Sequence, residues 1–106
     1  MDIEKTKVVF RVWGKKNGGD VIAIFPQIPT DQFGYYPQMY EHVGQHGGGD
    51  AKGVVRQTRP AKPKEYRELA KELRGRGYRL QIGKRCTAKD RDIRQTEARG
   101  TRLLCE

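Results

Sequence analysis

The two histidines, His42 and His46, stand four residues apart, beside Glu41 and just ahead of Gly47-Gly48-Gly49-Asp50. On a helix that spacing would put both imidazoles on one face, as a metal pair requires. On a strand they would sit about 13 Å apart at roughly 3.3 Å per residue, too far to share an ion. The surrounding residues MYEHVGQH, 39 to 46, alternate as a strand, so no metal site is expected. Hydrogen bonding within the sheet is the preferred role for the imidazoles, with a general base as the lesser alternative. The segment QHGGGDAKG has the glycines of an anion cradle. It lacks the Walker pattern, because Lys52 is followed by Gly53 and Val54 and not by a hydroxyl residue opening a helix. A flexible loop is expected there. No nucleophile stands beside a base and no carboxylates are paired at a catalytic spacing, so the expectation is a protein that is not an enzyme, with no catalytic residue and no cofactor.

Positive charge is the chemistry that does stand out. The chain carries 22 basic and 13 acidic side chains, a net +9. Residues 52 to 85 hold 12 of those basic groups against three acidic ones, so that segment alone carries the whole excess. Such a field attracts polyanions or acidic surfaces at low ionic strength. Arg56, Arg59, Lys64, Arg67, Lys71, Arg74 and Arg76 form the candidate binding surface, extended by Lys62, Arg79, Lys84 and Arg85. Tyr35 and Tyr36, and Trp13 if exposed, would supply stacking platforms. Each has a plainer reading: a solvated basic face that aids solubility, loop tyrosines capping a sheet, and a tryptophan in the core. No zinc-finger, helix-turn-helix or RNA-recognition signature accompanies the charge, so binding would read backbone or shape and not sequence.

Cys86 and Cys105 are the only cysteines. Both fall in the polar last fifth of the chain, where a bridge would have little to staple, and two reduced thiols are expected. Two cysteines cannot make a four-cysteine zinc site. No apolar run approaches the roughly 20 residues of a membrane span, and Met1-Asp2-Ile3-Glu4-Lys5 lacks the apolar stretch of a secretion signal, which points to the cytoplasm and to no membrane contact.

The elements that would position these groups follow from periodicity. Lys7 to Trp13 and Val21 to Phe25 read as two strands joined through Asn17-Gly18-Gly19, a β-hairpin with Lys15 and Lys16 at its tip. Pro26 and Pro29 should end the second strand, and Phe33, Tyr35 and Tyr36 should fold back over a sheet edge. Met39 to His46 reads as a third strand and Gly53 to Thr58 as a weak fourth. Pro63 to Arg74 is the clearest helix, opened by proline, closed by Gly75 and Gly77, and carrying a stripe of Tyr66, Leu69, Ala70 and Leu73. Its lysines and arginines gather on one flank and its glutamates on the other. Tyr78 to Lys84 alternates as a last strand. The order β-β-β-(β)-α-β predicts an α+β fold, a mainly antiparallel sheet of four or five strands with one helix packed on one face, as a single domain over residues 1–85. Residues 86–106 have almost no apolar periodicity and predict a polar, disordered tail, with a short helix at 87 to 98 as the alternative.

The stretches DVIAIFPQIP, YEHVGQH and RPAKPKEYRELAKELRGRGYRL, within residues 7 to 85, together resemble a group of small uncharacterised bacterial and mobile-element proteins. These share a strand ending in Phe-Pro, a Tyr-x-His-x-Gly-Gln-His stretch and a Glu-Tyr helix closing on Gly-Tyr. The resemblance carries no catalytic residue across. It implies a regulator, or an inhibitor of a host nucleic-acid enzyme of the anti-CRISPR kind. Two functions are therefore expected: a small module binding DNA, RNA or a nucleoprotein through its basic surface, or an inhibitor docking on a partner protein such as a host CRISPR nuclease.

Overall fold

The computed structural model describes residues 5–13, 20–41, 45–48 and 51–104. Its centre is the hairpin of β1 (Thr6–Trp13) and β2 (Val21–Pro29), antiparallel from Val9 opposite Ile24 to Val12 opposite Val21. The Lys15 and Lys16 tip lies outside the described residues. β2 continues past Pro26, which is buried, because the register between β2 and its next neighbour shifts between Phe25 and Pro29, where no ladder hydrogen bond is asked of the proline.

The expected single strand from Met39 to His46 is instead two short ones. β3 (Pro37–Glu41) pairs with β2, and β4 (Gln45–Gly48) turns back antiparallel on it, with Tyr40 opposite His46 and Gly47 opposite Met39. The expected weak strand from Gly53 to Thr58 is also corrected. It divides into α1 (Ala51–Gln57) and β5 (Thr58–Pro60), which pairs with the far half of β1. Buried Arg11 of β1 holds this corner, donating to the Thr58 hydroxyl at 2.6 Å and to the Thr58 carbonyl at 2.8 Å. The Thr58 hydroxyl in turn donates to the Val54 carbonyl at 2.7 Å.

α2 (Pro63–Gly75) and β6 (Leu80–Gly83) follow. β6 runs parallel to β1 along the half of its edge that β5 leaves open, from Leu80 opposite Thr6 to Gly83 opposite Val9. The sheet order is β4-β3-β2-β1-β5, with β6 beside β5 on the same edge of β1. The fold class is α+β with a mainly antiparallel sheet, as expected. The sheet reaches six strands, and helices cover both faces.

Alternation along the strands sorts the core into two layers. Val8, Phe10, Ala23, Phe25 and Tyr40 meet Leu69, Ala70 and Leu73 of α2. Tyr66 stacks on Phe10 with ring centroids 4.6 Å apart, and Tyr78 on Phe25 at 5.2 Å. On the opposite face Val9, Ile22, Ile24 and Met39 pack with Trp13, Val54 and Cys86.

That second face carries the largest departure from expectation. The segment expected to be a disordered tail forms α3 (Ala88–Leu104), docked on β2, and buries Asp90, Arg94 and Ala98 at helical spacing. Thr87 and Asp90 cap it reciprocally: the Thr87 N–H donates to Asp90 Oδ2 at 2.9 Å and the Asp90 N–H to the Thr87 hydroxyl at 3.2 Å. Asp90 also accepts from Lys7 Nζ at 2.6 Å and from Gln27 at 3.0 Å. Arg94, 7% exposed, donates to the carbonyls of Gly34 at 2.8 Å, Pro26 at 2.9 Å and Tyr35 at 3.4 Å. The helix can be polar because two of its three buried residues, Asp90 and Arg94, are charges that find their partners inside. No helix among the described residues is long and apolar enough to cross a membrane.

Candidate nucleic-acid interface

α2 owes its position to its own ends. Pro63 opens it, Glu65 Oε1 accepts the Lys62 N–H at 2.9 Å, and the C-terminus closes with Tyr78 N–H on the Leu73 carbonyl and Gly77 N–H on that of Arg74. This closing pattern needs a left-handed residue, which Gly77 supplies at φ 102°. With Leu69, Ala70 and Leu73 seated on the sheet, the remaining residues are sorted by angle, at about 100° per residue.

Two of the three glutamates on the acidic flank, Glu65 and Glu72, are used within the molecule, while Glu68 is exposed. Glu65 takes a two-pronged ion pair from Arg59, at 2.6 and 2.8 Å, and the guanidinium together with the Lys62 N–H holds its carboxyl down to about 2. Glu72 accepts the buried Tyr40 hydroxyl at 3.0 Å. Burial first, and the Glu72 contact second, push the Tyr40 phenol above its ordinary range. Arg76 lies with its guanidinium 5.3 Å from the centre of the Tyr40 ring.

The basic flank is left to solvent. Lys64, Arg67, Lys71 and Arg74 are all exposed, and none has an ion-pair partner among the described residues; Glu68, within one turn of Lys64 and Lys71, pairs with neither. Their spacing of three, four and three residues lines them along one side of the helix over about 15 Å. The arrangement is a row of four exposed cations with no ion-pair partner among the described residues.

The expected site residues therefore divide. Lys64, Arg67, Lys71 and Arg74 come together. Arg59 is occupied by Glu65, and Arg76 sits over Tyr40. Arg56 lies in the last turn of α1, which packs on the opposite face of the sheet. Tyr35 and Tyr36 are exposed, at 62% and 49%, on the β2–β3 loop that Arg94 ties to α3, away from the α2 layer. Trp13 follows the plainer reading. It packs against the second core layer and donates its indole N–H to Glu41 at 3.1 Å.

His42 lies outside the described residues, as does Cys105, and His46 belongs to the edge strand β4. No group of three metal-ligating side chains occurs among the described residues. The glycine-rich stretch is not a loop throughout, since Gly47 and Gly48 are paired in β4. Cys86 is a free thiol, half-buried, and desolvation followed by the nearby Asp90 pushes it up, away from the reactive thiolate.

Sequence reasoning missed an apolar groove of about 530 Å³ beside the basic flank. Phe10, Pro60, Ala61, Pro63, Tyr66, Ile82, Gly83 and Lys84 line it. The run Pro60-Ala61-Lys62-Pro63 was legible as a helix approach, but the far wall comes from β6, whose parallel docking on β1 no local pattern announces. Compared with protein-family models, with curated proteins and with solved structures, the chain matches none.

Proposed function

We propose that this protein is a non-enzymatic module that binds nucleic acid, alone or within a nucleoprotein, through the exposed flank of α2. The observation that carries the reading is the division of the helix. Glu65 and Glu72 of its acidic flank serve the fold through Arg59 and Tyr40, while Lys64, Arg67, Lys71 and Arg74 stay exposed with no ion-pair partner among the described residues. Phosphate contacts from such a row position a backbone without reading bases. The test is binding of a labelled 12-nucleotide duplex or single strand, followed by fluorescence anisotropy across salt concentrations. Four phosphate contacts predict a log–log salt slope of about −3 to −4, or roughly a hundredfold loss of affinity from 50 to 200 mM salt. The triple variant Arg67→Glu/Lys71→Glu/Arg74→Glu should fold and lose binding, whereas Arg59→Met should leave the slope unchanged. Equal binding by the triple variant ends the proposal.

A second reading is favoured by the loop between β2 and β3. Phe33, Tyr35 and Tyr36 are 46 to 62% exposed, and the loop backbone is held by Asp31, whose carboxylate accepts the N–H groups of Phe33, Tyr35 and Tyr36, and by Arg94. Rigid exposed aromatics suit a protein partner, in keeping with an inhibitor that docks on a nuclease, as the mobile-element resemblance implies. That reading predicts a stoichiometric complex lost on Tyr35→Ala/Tyr36→Ala and kept in the α2 triple variant.

A further inference from the structure

The groove beside α2 arises from the sheet's edge. β1 changes partner at Phe10: β6 ends with Gly83 opposite Val9, and β5 ends with Pro60 opposite Arg11. Between them the Ala61 N–H donates to the Phe10 carbonyl, at 3.1 Å. The groove there is lined by Phe10 and Tyr66, whose rings stack, by Pro60, Ala61 and Pro63 on the helix side, and by Ile82 with Gly83 on the strand side. Its volume falls in the range of sites that take small planar molecules. Ile82 is 40% exposed, so the mouth presents apolar surface to water.

Cations stand in the strand wall of this groove and next to its helix wall in the sequence. Lys84 lines the strand wall. On the helix wall Arg67 stands one turn beyond Pro63, and Lys64 adjoins it, so the row of unpaired cations begins where the groove ends. An apolar slot with one lysine in its lining and exposed cations on the helix that forms its other wall complements a chain that is anionic along its backbone and carries flat apolar groups beside it. We infer that the groove receives an unstacked base of single-stranded nucleic acid, while Lys84, Lys64 and Arg67 hold the flanking phosphates. The inference rests on the proposed function and narrows its substrate class. A duplex must first unstack and unpair a base, at a cost of a few kcal/mol, whereas a single strand offers it freely. Because every base has a flat face, the site is tolerant of sequence.

The experiment compares two strands of equal charge on the full chain: a 12-mer of thymidine and a 12-mer of abasic residues. Base insertion predicts at least about tenfold tighter binding of the thymidine strand. It also predicts amide shifts in Ala61, Ile82 and Gly83 with that strand only. The variant Ile82→Gln, at an exposed position, should leave affinity for the abasic strand unchanged and bring the ratio within about threefold of unity. Equal binding of both strands by the native chain overturns the groove assignment and leaves the basic-flank reading standing. Absence of salt-dependent binding to either strand overturns both. A 12-residue poly-glutamate peptide producing the same shifts at Ile82 and Gly83 with equal affinity also overturns it, by assigning the groove to an acidic polypeptide.

Discussion

Replacing Arg94 by methionine removes the side chain that ties α3 to the β2–β3 loop. Two of its hydrogen bonds, to Gly34 at 2.8 Å and Pro26 at 2.9 Å, end on carbonyls of buried residues, and the third, to Tyr35 at 3.4 Å, ends on an exposed one. Hydrogen bonds from a charged donor contribute about 1.5–3 kcal/mol each, and each buried carbonyl left unpaired costs about 1–3 kcal/mol. Relief of the guanidinium's desolvation, which already lowers the Arg94 pKa, offsets part of this. The expected net loss is about 2–4 kcal/mol, a large share of the roughly 5–15 kcal/mol that holds a small domain. Urea unfolding followed by far-UV circular dichroism and by the fluorescence of Trp13, the only tryptophan, reads it as a midpoint lowered by about 1–2 M at an m-value of roughly 2 kcal/mol/M. Arg91→Met is the internal control. Arg91 is exposed and reaches Asp92 only at 3.8 Å, so its loss should stay within about 0.5 kcal/mol. Arg94→Met behaving like Arg91→Met would refute the view that α3 is an integral layer of the fold.

Three further outcomes follow from the same side chains. Gly34→Ala should destabilise by at least about 2 kcal/mol, since Gly34 has φ +74° and a Cβ there would lie 2.7 Å from the Gln95 α-carbon; Gly75→Ala, with open space around it, should stabilise by up to about 1 kcal/mol in the same melts. Asp90 is pushed up by burial but held below its ordinary 3.8 by Lys7, Gln27 and Thr87. Its contribution is therefore present above that value and lost as pH falls through the lower folded value, so the stability gap between the native chain and Asp90→Asn should narrow as pH falls below 3.8; a gap that does not narrow as the solution is acidified contradicts the ion pair. Tyr66→Leu should cost about 1 kcal/mol for the lost stacking on Phe10 and weaken binding of the thymidine strand alone; equal weakening of thymidine and abasic strands would separate Tyr66 from the groove.

Features that local periodicity can carry were legible before the fold was known. The apolar alternation of β1 and β2, the Tyr66-Leu69-Ala70-Leu73 stripe and the cationic row on α2 were all readable, because each depends on neighbours within a turn or on the next residue of a strand. Other features depended on contacts between distant segments. α3 was only the alternative to a disordered tail, and as a shorter helix at 87 to 98, because its buried residues are Asp90, Arg94 and Ala98, and hydrophobic patterning counts two of those as surface. Only Lys7, Gln27 and the carbonyls of residues 26, 34 and 35, brought up by the sheet, make burying those charges favourable. Thr87 three residues before Asp90 was the one local signal of its start. The split into β4 and α1, and the parallel docking of β6, were likewise decided by long-range pairing. So was the groove, whose walls stand more than fifteen residues apart in the chain. A side chain's charge is written in the sequence; whether that charge meets a partner or water is set by what the fold places beside it, and that separates Arg59 and Arg94 from Arg67.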